Sequence, residues 1–246
     1  MLGRTPRLRA HHRRRHPRLR PRVLRRAPDA DRPRSEAGAA RDAPSTDEGG
    51  LMATHEVTFP ITDARQILEL RAGDEVTVQG HIIGIRDRTQ IRIFDEGVEP
   101  PMDLRGAFLL HTAPGVRKLA EGKYEKVCIG TTTSARMVRF TEPLGAQYGV
   151  RAICGKGGFP DEAIEPMQRL GMVYFAIVGG AAALETTQIE EIEEVAWEDL
   201  MPECLWRFRV KDFGPLTVGI DAHGSSLYHD VQTAAKKKLE EIYARL

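Results

Sequence analysis

With 246 residues and a hydrophobic fraction of 41%, the chain is long and apolar enough for one large domain or two small ones around a packed core. Its formal charge of +1 divides unevenly: residues 1–51 carry 14 Arg against 6 acidic side chains, leaving 22 basic and 29 acidic residues in 52–246. No apolar run approaches the roughly 18 residues that cross a bilayer, and no secretory hydrophobic segment is present. A membrane-spanning or exported product is therefore not expected, and the expected location is the cytoplasm.

The leader contains His11-His-Arg-Arg-Arg-His16 and Pro-Arg-Leu-Arg-Pro-Arg22, with no apolar periodicity. Such a segment cannot bury enough surface to offset its chain entropy, so disorder is expected. Clustered arginines fit a nucleic-acid-binding arm, and the absence of acidic residues in 1–28 fits a mitochondrial transit peptide. The third reading, translation starting at Met52, carries the most weight, and nucleic acid is not an expected partner. The expected division is a leader, 1–51, and a single ordered domain, 52–246.

Within that domain Thr62 is a candidate N-cap for a short helix carrying Ile67, Leu68 and Leu70 and closed by Gly73. Glu75–Ile85 is rich in β-branched residues and predicts a strand ending on Arg86-Asp87. A short helix is predicted near Gln90–Phe94, with strands at Ala107–His111 and Lys126–Gly130. Residues 134–148 predict a helix that Pro143 kinks or shortens. A strand over Arg151–Cys154, a helix over Asp161–Leu170 stopping at Gly171, and a strand over Met172–Val178 follow. Strands are then predicted at Ile189–Trp197, Leu205–Lys211 and Leu216–Ile220, and a helix from Leu227. Strand–helix alternation in the middle and strand clustering late predict an α/β layered domain with a mixed sheet.

In open α/β sheets ligands sit beyond the carboxyl ends of the strands. Three polar clusters begin at such ends: Arg86-Asp87, Gly130-Thr-Thr-Thr-Ser-Ala-Arg136 and Gly155-Lys-Gly-Gly158. A helix starting near Ser134 would present N–H groups and its positive end to a carboxylate. Arg136 and Arg86 offer forks for two carboxylates, and Lys156 adds a point charge between glycines that allow close approach. Thr132 lies four residues before Arg136, where cations favour its deprotonated form. Together these residues predict a pocket for a small doubly charged anion with an alcohol beside it. Against this stand simpler readings: Thr131–Ser134 as an N-cap with β-branched neighbours, and Arg86-Asp87 as a solvated turn. The Gly-Lys-Gly-Gly loop lacks the spacing of a nucleotide P-loop. Cys128 and Cys154 are expected as small buried hydrophobes, and the three cysteines lack a metal-binding spacing. His81, His111 and His223 are expected to be structural, and Glu190–Glu194 an exposed face.

The clusters belong to a longer series. Gly73-Asp74, Arg86-Asp87, Asp103-Leu104, Thr132-Thr-Ser-Ala-Arg-Met137 and Gly155-Lys-Gly157 are followed by Gly179-Gly-Ala-Ala-Ala-Leu184, Met201-Pro-Glu203, Phe213-Gly-Pro215 and Asp221-Ala-His-Gly224. With these motifs in this order, the chain resembles the β subunit, or C-terminal half, of class I iron–sulfur fumarate hydratases and the related L-tartrate dehydratases. The resemblance implies a swivelling β/β/α-type domain and reversible hydration of a four-carbon dicarboxylate. It implies interconversion of malate and fumarate first, with L-tartrate dehydration to oxaloacetate as the alternative and a non-catalytic relative as a further one. It also implies a [4Fe–4S] cluster held by three cysteines of an α subunit and none by this chain. The chain would then be active only in an α/β complex, expected as α2β2. Carried over by motif, Arg86, Arg136 and Lys156 bind substrate and Thr132 is the base. Asp87, Thr133, Ser134, Gly155 and Gly157 support them. The family has proline where this chain has Thr131, histidine where it has Gln90, and a polar residue where it has Val138.

Overall fold

The computed structural model describes residues 52–180 and 182–245. The expectations for the leader, its disorder and its three possible roles, lie outside the described residues.

In chain order the elements are β1 (Thr54–Phe59), α1 (Arg65–Leu68), β2 (Glu75–Ile85), α2 (Asp87–Phe94), β3 (Phe108–His111), β4 (Gly115–Ala120) and β5 (Lys123–Cys128). A 3-10 turn, Ala135–Phe140, runs into α3 (Thr141–Tyr148), followed by β6 (Ala152–Gly155), α4 (Ile164–Leu170), β7 (Val173–Ala176), α5 (Ala182–Thr187), β8 (Ile189–Ala196), β9 (Leu205–Ile220) and α6 (Leu227–Tyr243). Strands β1, β2, β3, β6 and β7 are parallel neighbours in that order. Strand β9 runs antiparallel to β7, β8 and β2. Because β9 reaches back to β2, the strands β2, β3, β6, β7 and β9 close into a barrel-like ring, with β1 and β8 at its flanks. This is the expected α/β domain with a mixed sheet.

The strand pleat explains the two cores. Phe108, Leu110, Ala152, Cys154, Val173 and Phe175 share one face, against Phe59, Trp206, Phe208 and Phe213. Phe108 anchors this face, edge-on to Phe59 at 5.2 Å between ring centroids and stacked on Phe175 at 5.6 Å. The alternate residues Leu109, Ile153 and Tyr174 face the other way, into a second cluster with Met137, Phe140, Leu144 and Met167 from the helical segments and Phe159 from the loop after β6. Parallel strands β3 and β6 are thus buried on both faces, as sheets flanked by connecting segments must be.

Several expectations change. Ala64, not Thr62, precedes α1, and Asp63 accepts from the Arg65 amide at 3.0 Å instead. Leu68 is exposed, while Ile67 and Leu70 are buried. The 134–148 helix divides at Thr141, which places Pro143 in the first turn of α3, where its missing N–H removes no intrahelical bond. The two strands expected at 205–211 and 216–220 are one, β9, which continues through Asp212 in a left-handed conformation with register shifts against β2. Strands β1 and β4 and helix α5 carry no predicted counterpart. Cys128 is exposed on the β4–β5 hairpin rather than buried, whereas Cys154 is buried as expected. Glu190, Glu191 and Glu193 form the exposed acidic face of β8, gripped by Arg209 at 3.1, 2.7 and 3.1 Å.

Candidate functional site

The Thr-Thr-Thr-Ser run is an extended segment laid across the ends of two strands. Ala113 donates to the Gly130 carbonyl (3.2 Å), Thr132 to His111 (2.9 Å), Lys156 to Thr132 (3.1 Å) and Ser134 to Lys156 (3.3 Å). β-Branched residues suit such a stretch because their stiff side chains favour the extended backbone. Gly130 makes the entry possible: it sits at φ +60°, and a Cβ there would lie 2.3 Å from the Ala113 carbonyl oxygen. The N-cap reading of Ser134 does not hold. Its hydroxyl makes no capping bond and turns instead to His111 Nδ1 at 2.9 Å, and its amide is spent on Lys156.

The structure brings the expected residues to one place. Arg86 follows β2, His111 ends β3, and Gly155-Lys156 ends β6, all at the carboxyl side of parallel strands. Thr132, Thr133, Ser134 and Arg136 enter from the crossing segment. Arg136 forks onto Asp87, with Nε donating to Oδ1 at 2.8 Å and Nη2 to Oδ2 at 2.6 Å. Its Nη2 also reaches Thr132 Oγ1 at 3.3 Å, and Nη1 donates to the Thr133 carbonyl at 3.0 Å. Burial pushes the Asp87 carboxyl up, but the Arg136 bonds outweigh it and hold its pKa below the usual range. Four of the five guanidinium N–H groups are thereby engaged, so Arg136 grips a ligand carboxylate only by sharing or releasing Asp87.

Arg86 is more loosely held, its Nε 3.3 Å from Asp87 and 3.6 Å from Glu203. Lys156 passes against Gly179, where a Cβ would meet its Cδ at 3.1 Å, and no acidic side chain among the described residues pairs with it. Gly155 is obligatory, since a Cβ there would fall 2.0 Å from Ser134 Oγ. Gly157, at φ +75°, offers its carbonyl to both Tyr174 (3.0 Å) and Tyr228 (3.1 Å). The loop is therefore tied down while its lysine is left uncommitted.

Three residues outside the expected set join the cluster. Glu203 accepts from the Arg88 amide at 2.8 Å and stands beside Arg86. Gln90 is fully buried beneath Arg86, its Nε2 3.4 Å from the Arg86 carbonyl and 3.0 Å from Met137 Sδ. His111 is buried, and burial drives its pKa down to about 3. Its signal in the sequence was its place as the last residue of a strand, the position Arg86 also marks. Of four buried side-chain atoms without a partner among the described residues, Gln90 Oε1 and His111 Nε2 belong here.

Among the described residues no group of three or more His, Cys, Asp or Glu is arranged to hold a metal ion, and the cysteines lie apart, one exposed and two buried. The described residues do not fit an iron–sulfur site. No described helix is long and apolar enough to cross a membrane.

The fold is an α/β domain with a ring-closed mixed sheet that carries cationic and hydroxyl groups at its carboxyl ends. Comparison with known proteins names the class. Residues 32–231 match the family described as "Fumarase C-terminus". The L(+)-tartrate dehydratase subunit beta of Escherichia coli (strain K12) is 41% identical over 172 residues, 70% of this chain and 85% of that protein. A protein of Methanocaldococcus jannaschii named "Putative L(+)-tartrate dehydratase subunit beta" is 34% identical over 76% of this chain and 98% of its own length. A Geobacillus stearothermophilus protein named "Putative fumarate hydratase class I" is 35% identical over 74% of this chain, which spans 35% of that longer protein. The chain belongs to the class I fumarase and tartrate dehydratase β family.

Proposed function

We propose that the chain is the β subunit of a hydro-lyase that removes water from a four-carbon hydroxy-dicarboxylate, and that it works in a complex with an α subunit. The observation that carries this is the meeting of Arg86, Thr132, Arg136 and Lys156 at the carboxyl ends of β2, β3 and β6 in a chain of this family. The relatives at 34% and 41% identity bear the tartrate dehydratase name, which favours L-tartrate as substrate. Malate is the second reading, supported by the relative named for fumarate hydratase and by the Gly179–Leu184 motif.

In this proposal Lys156 and Arg86 bind the substrate carboxylates as point charge and fork, and Arg136 joins them while keeping Asp87 as its orienting partner. Thr132 takes the proton from the carbon adjacent to the one that bears the departing hydroxyl, so that the electron pair of that C–H bond forms the double bond as the hydroxyl leaves. The Arg136 Nη2 group 3.3 Å from its oxygen stabilises the alkoxide form this requires. The same cations stabilise charge that builds on the carboxylate during proton removal. A [4Fe–4S] cluster on the α subunit would supply Lewis-acid assistance to the leaving hydroxyl; this chain contributes binding, orientation and the proton acceptor. Co-expression with the α subunit, followed by anaerobic assays on L-tartrate and L-malate, tests the proposal. Dehydration of L-tartrate by the complex, and by neither subunit alone, is expected. Inactivity on both acids overturns it.

A further inference from the structure

We infer that Tyr228 is a positioning residue of the proposed substrate site: its phenol holds the Gly157 carbonyl and thereby fixes the glycine loop that presents Lys156, a role that rests on the hydro-lyase reading. The loop needs such a hold. Gly155-Lys-Gly-Gly158 has three residues without side chains, so its own backbone preferences leave it pliable. The place of Lys156 must come from whatever grips the peptide groups around it.

Backbone bonds grip the first part of the loop. The Gly155 carbonyl accepts from the Ile177 amide at 3.2 Å, the Lys156 amide donates to the Thr132 carbonyl at 3.1 Å, and the Lys156 carbonyl accepts from the Ser134 amide at 3.3 Å. The Gly157 carbonyl is held differently. Among the described residues only two phenols reach it, Tyr174 at 3.0 Å and Tyr228 at 3.1 Å. A phenol has one proton to give, and Tyr174 divides its own between Gly157 and the nearer Gly155 carbonyl at 2.8 Å. Tyr228 has Gly157 as its one acceptor among the described residues, so it supplies the undivided bond.

The ring of Tyr228 is seated where side chains are missing. A Cβ on Gly158 would lie 3.1 Å from Tyr228 Cδ1, and a Cβ on Gly219 of β9 would lie 3.1 Å from Tyr228 Cε2. Two glycines from separate elements thus open a slot that the ring occupies. The first turn of α6, which carries Tyr228, is itself anchored. Ser226 caps it by accepting from the His229 amide at 3.4 Å, and His229 Nδ1 lies 2.9 Å from Asp161 Oδ2, just beyond the loop. Tyr228 therefore reaches the Gly157 carbonyl from a fixed helical turn, and the loop cannot shift without breaking that bond or dislodging the ring.

Two measurements test this, and only the second depends on the hydro-lyase reading. In the full chain labelled with 15N, Tyr228→Phe keeps the ring in its slot and removes the hydroxyl. Hydrogen exchange at the amides of Lys156 and Ser134 should quicken about fivefold, the loss of one hydrogen bond, while the amides of β2 stay as in wild type. Unchanged exchange at Lys156 and Ser134 overturns the inference, and so does an equal quickening in β2, which would make Tyr228 a general stabiliser. In the proposed α/β complex, Tyr228→Phe should raise KM for L-tartrate about fivefold with kcat within about twofold, and Tyr228→Ala, which also empties the slot, should raise KM about tenfold or more. A Phe variant with wild-type KM, or a loss confined to kcat, counts against Tyr228 as a positioning residue. A wild-type complex that dehydrates neither L-tartrate nor L-malate would sink the functional reading, while the exchange result still decides whether Tyr228 holds the loop.

Discussion

The two ends of β2 carry motif residues of the same family, yet they are built in opposite ways. At its start, Asp74 accepts from the amides of Arg71 and Ala53 at 2.8 and 3.1 Å and from His55 at 3.0 Å. Asp221 does likewise for Ala72, His223 and Ser225 at 3.1, 2.9 and 2.9 Å, stitching the Asp221–Gly224 turn to the loop before β2. Every carboxylate oxygen there is occupied by the chain itself. Past the other end, Lys156 has no acidic partner among the described residues, Arg86 holds its carboxylates at 3.3 Å or more, and two buried polar atoms stand unpaired among those residues. A motif whose valences close on its own backbone is a bolt; one that leaves them open is a candidate site. The family pattern alone does not separate the two, and the hydrogen bonds do.

Substitutions sharpen that contrast. The largest effect belongs to Thr132→Ala: loss of the proposed proton acceptor should lower kcat of the proposed complex by about 10²–10⁴-fold with the melting temperature of the chain unchanged. Lys156→Met should act on binding, raising KM by about 10–100-fold in steady-state assays with less change in kcat. Asp221→Ala should do the converse. It strands three backbone amides and should cost about 3 kcal/mol of folding free energy in urea denaturation, while turnover per folded molecule persists. A smaller effect comes from pH. His111 falls from 6.5 to about 3 on folding, so the unfolded chain binds the extra proton and stability drops as pH falls through the unfolded value. Between about pH 7 and about pH 5 this amounts to about 2 kcal/mol, and His111→Asn should flatten that part of the stability profile. An unchanged slope would place His111 in a more solvated setting than its burial indicates.

How much of this was legible in the sequence depended on the range of the interactions. Strand β2 was readable to its ends, Glu75 and Ile85, because its β-branched run is local. The Thr131–Ser134 run, Arg86 and Lys156 were recognisable as candidates because hydroxyls and cations cluster after apolar strands. What could not be read was pairing. Arg136 reaches Asp87 across 49 positions, and Glu203 reaches the Arg88 amide across 115. Ser134 was expected as a supporting residue, with a helix cap as the simpler alternative because that is its commonest local use, and only the packing of β3 against β6 reveals His111 as its partner. Strand β4 escaped because its later half is exposed and carries no alternation, and β9 was divided because Asp212–Pro215 imitates a turn. The exposed Cys128 shows the same limit, since a short apolar-looking segment does not say which face the hairpin turns to solvent.

The contrast between a closed end and an open end is tested most directly by hydrogen–deuterium exchange on the proposed complex with an α subunit, with and without L-tartrate, the proposed substrate. Ligand should slow exchange at residues 130–136 and 155–158 and leave 71–74 and 221–225 as they were. Protection confined to 71–74 and 221–225, with none at 130–136 or 155–158, would contradict the account.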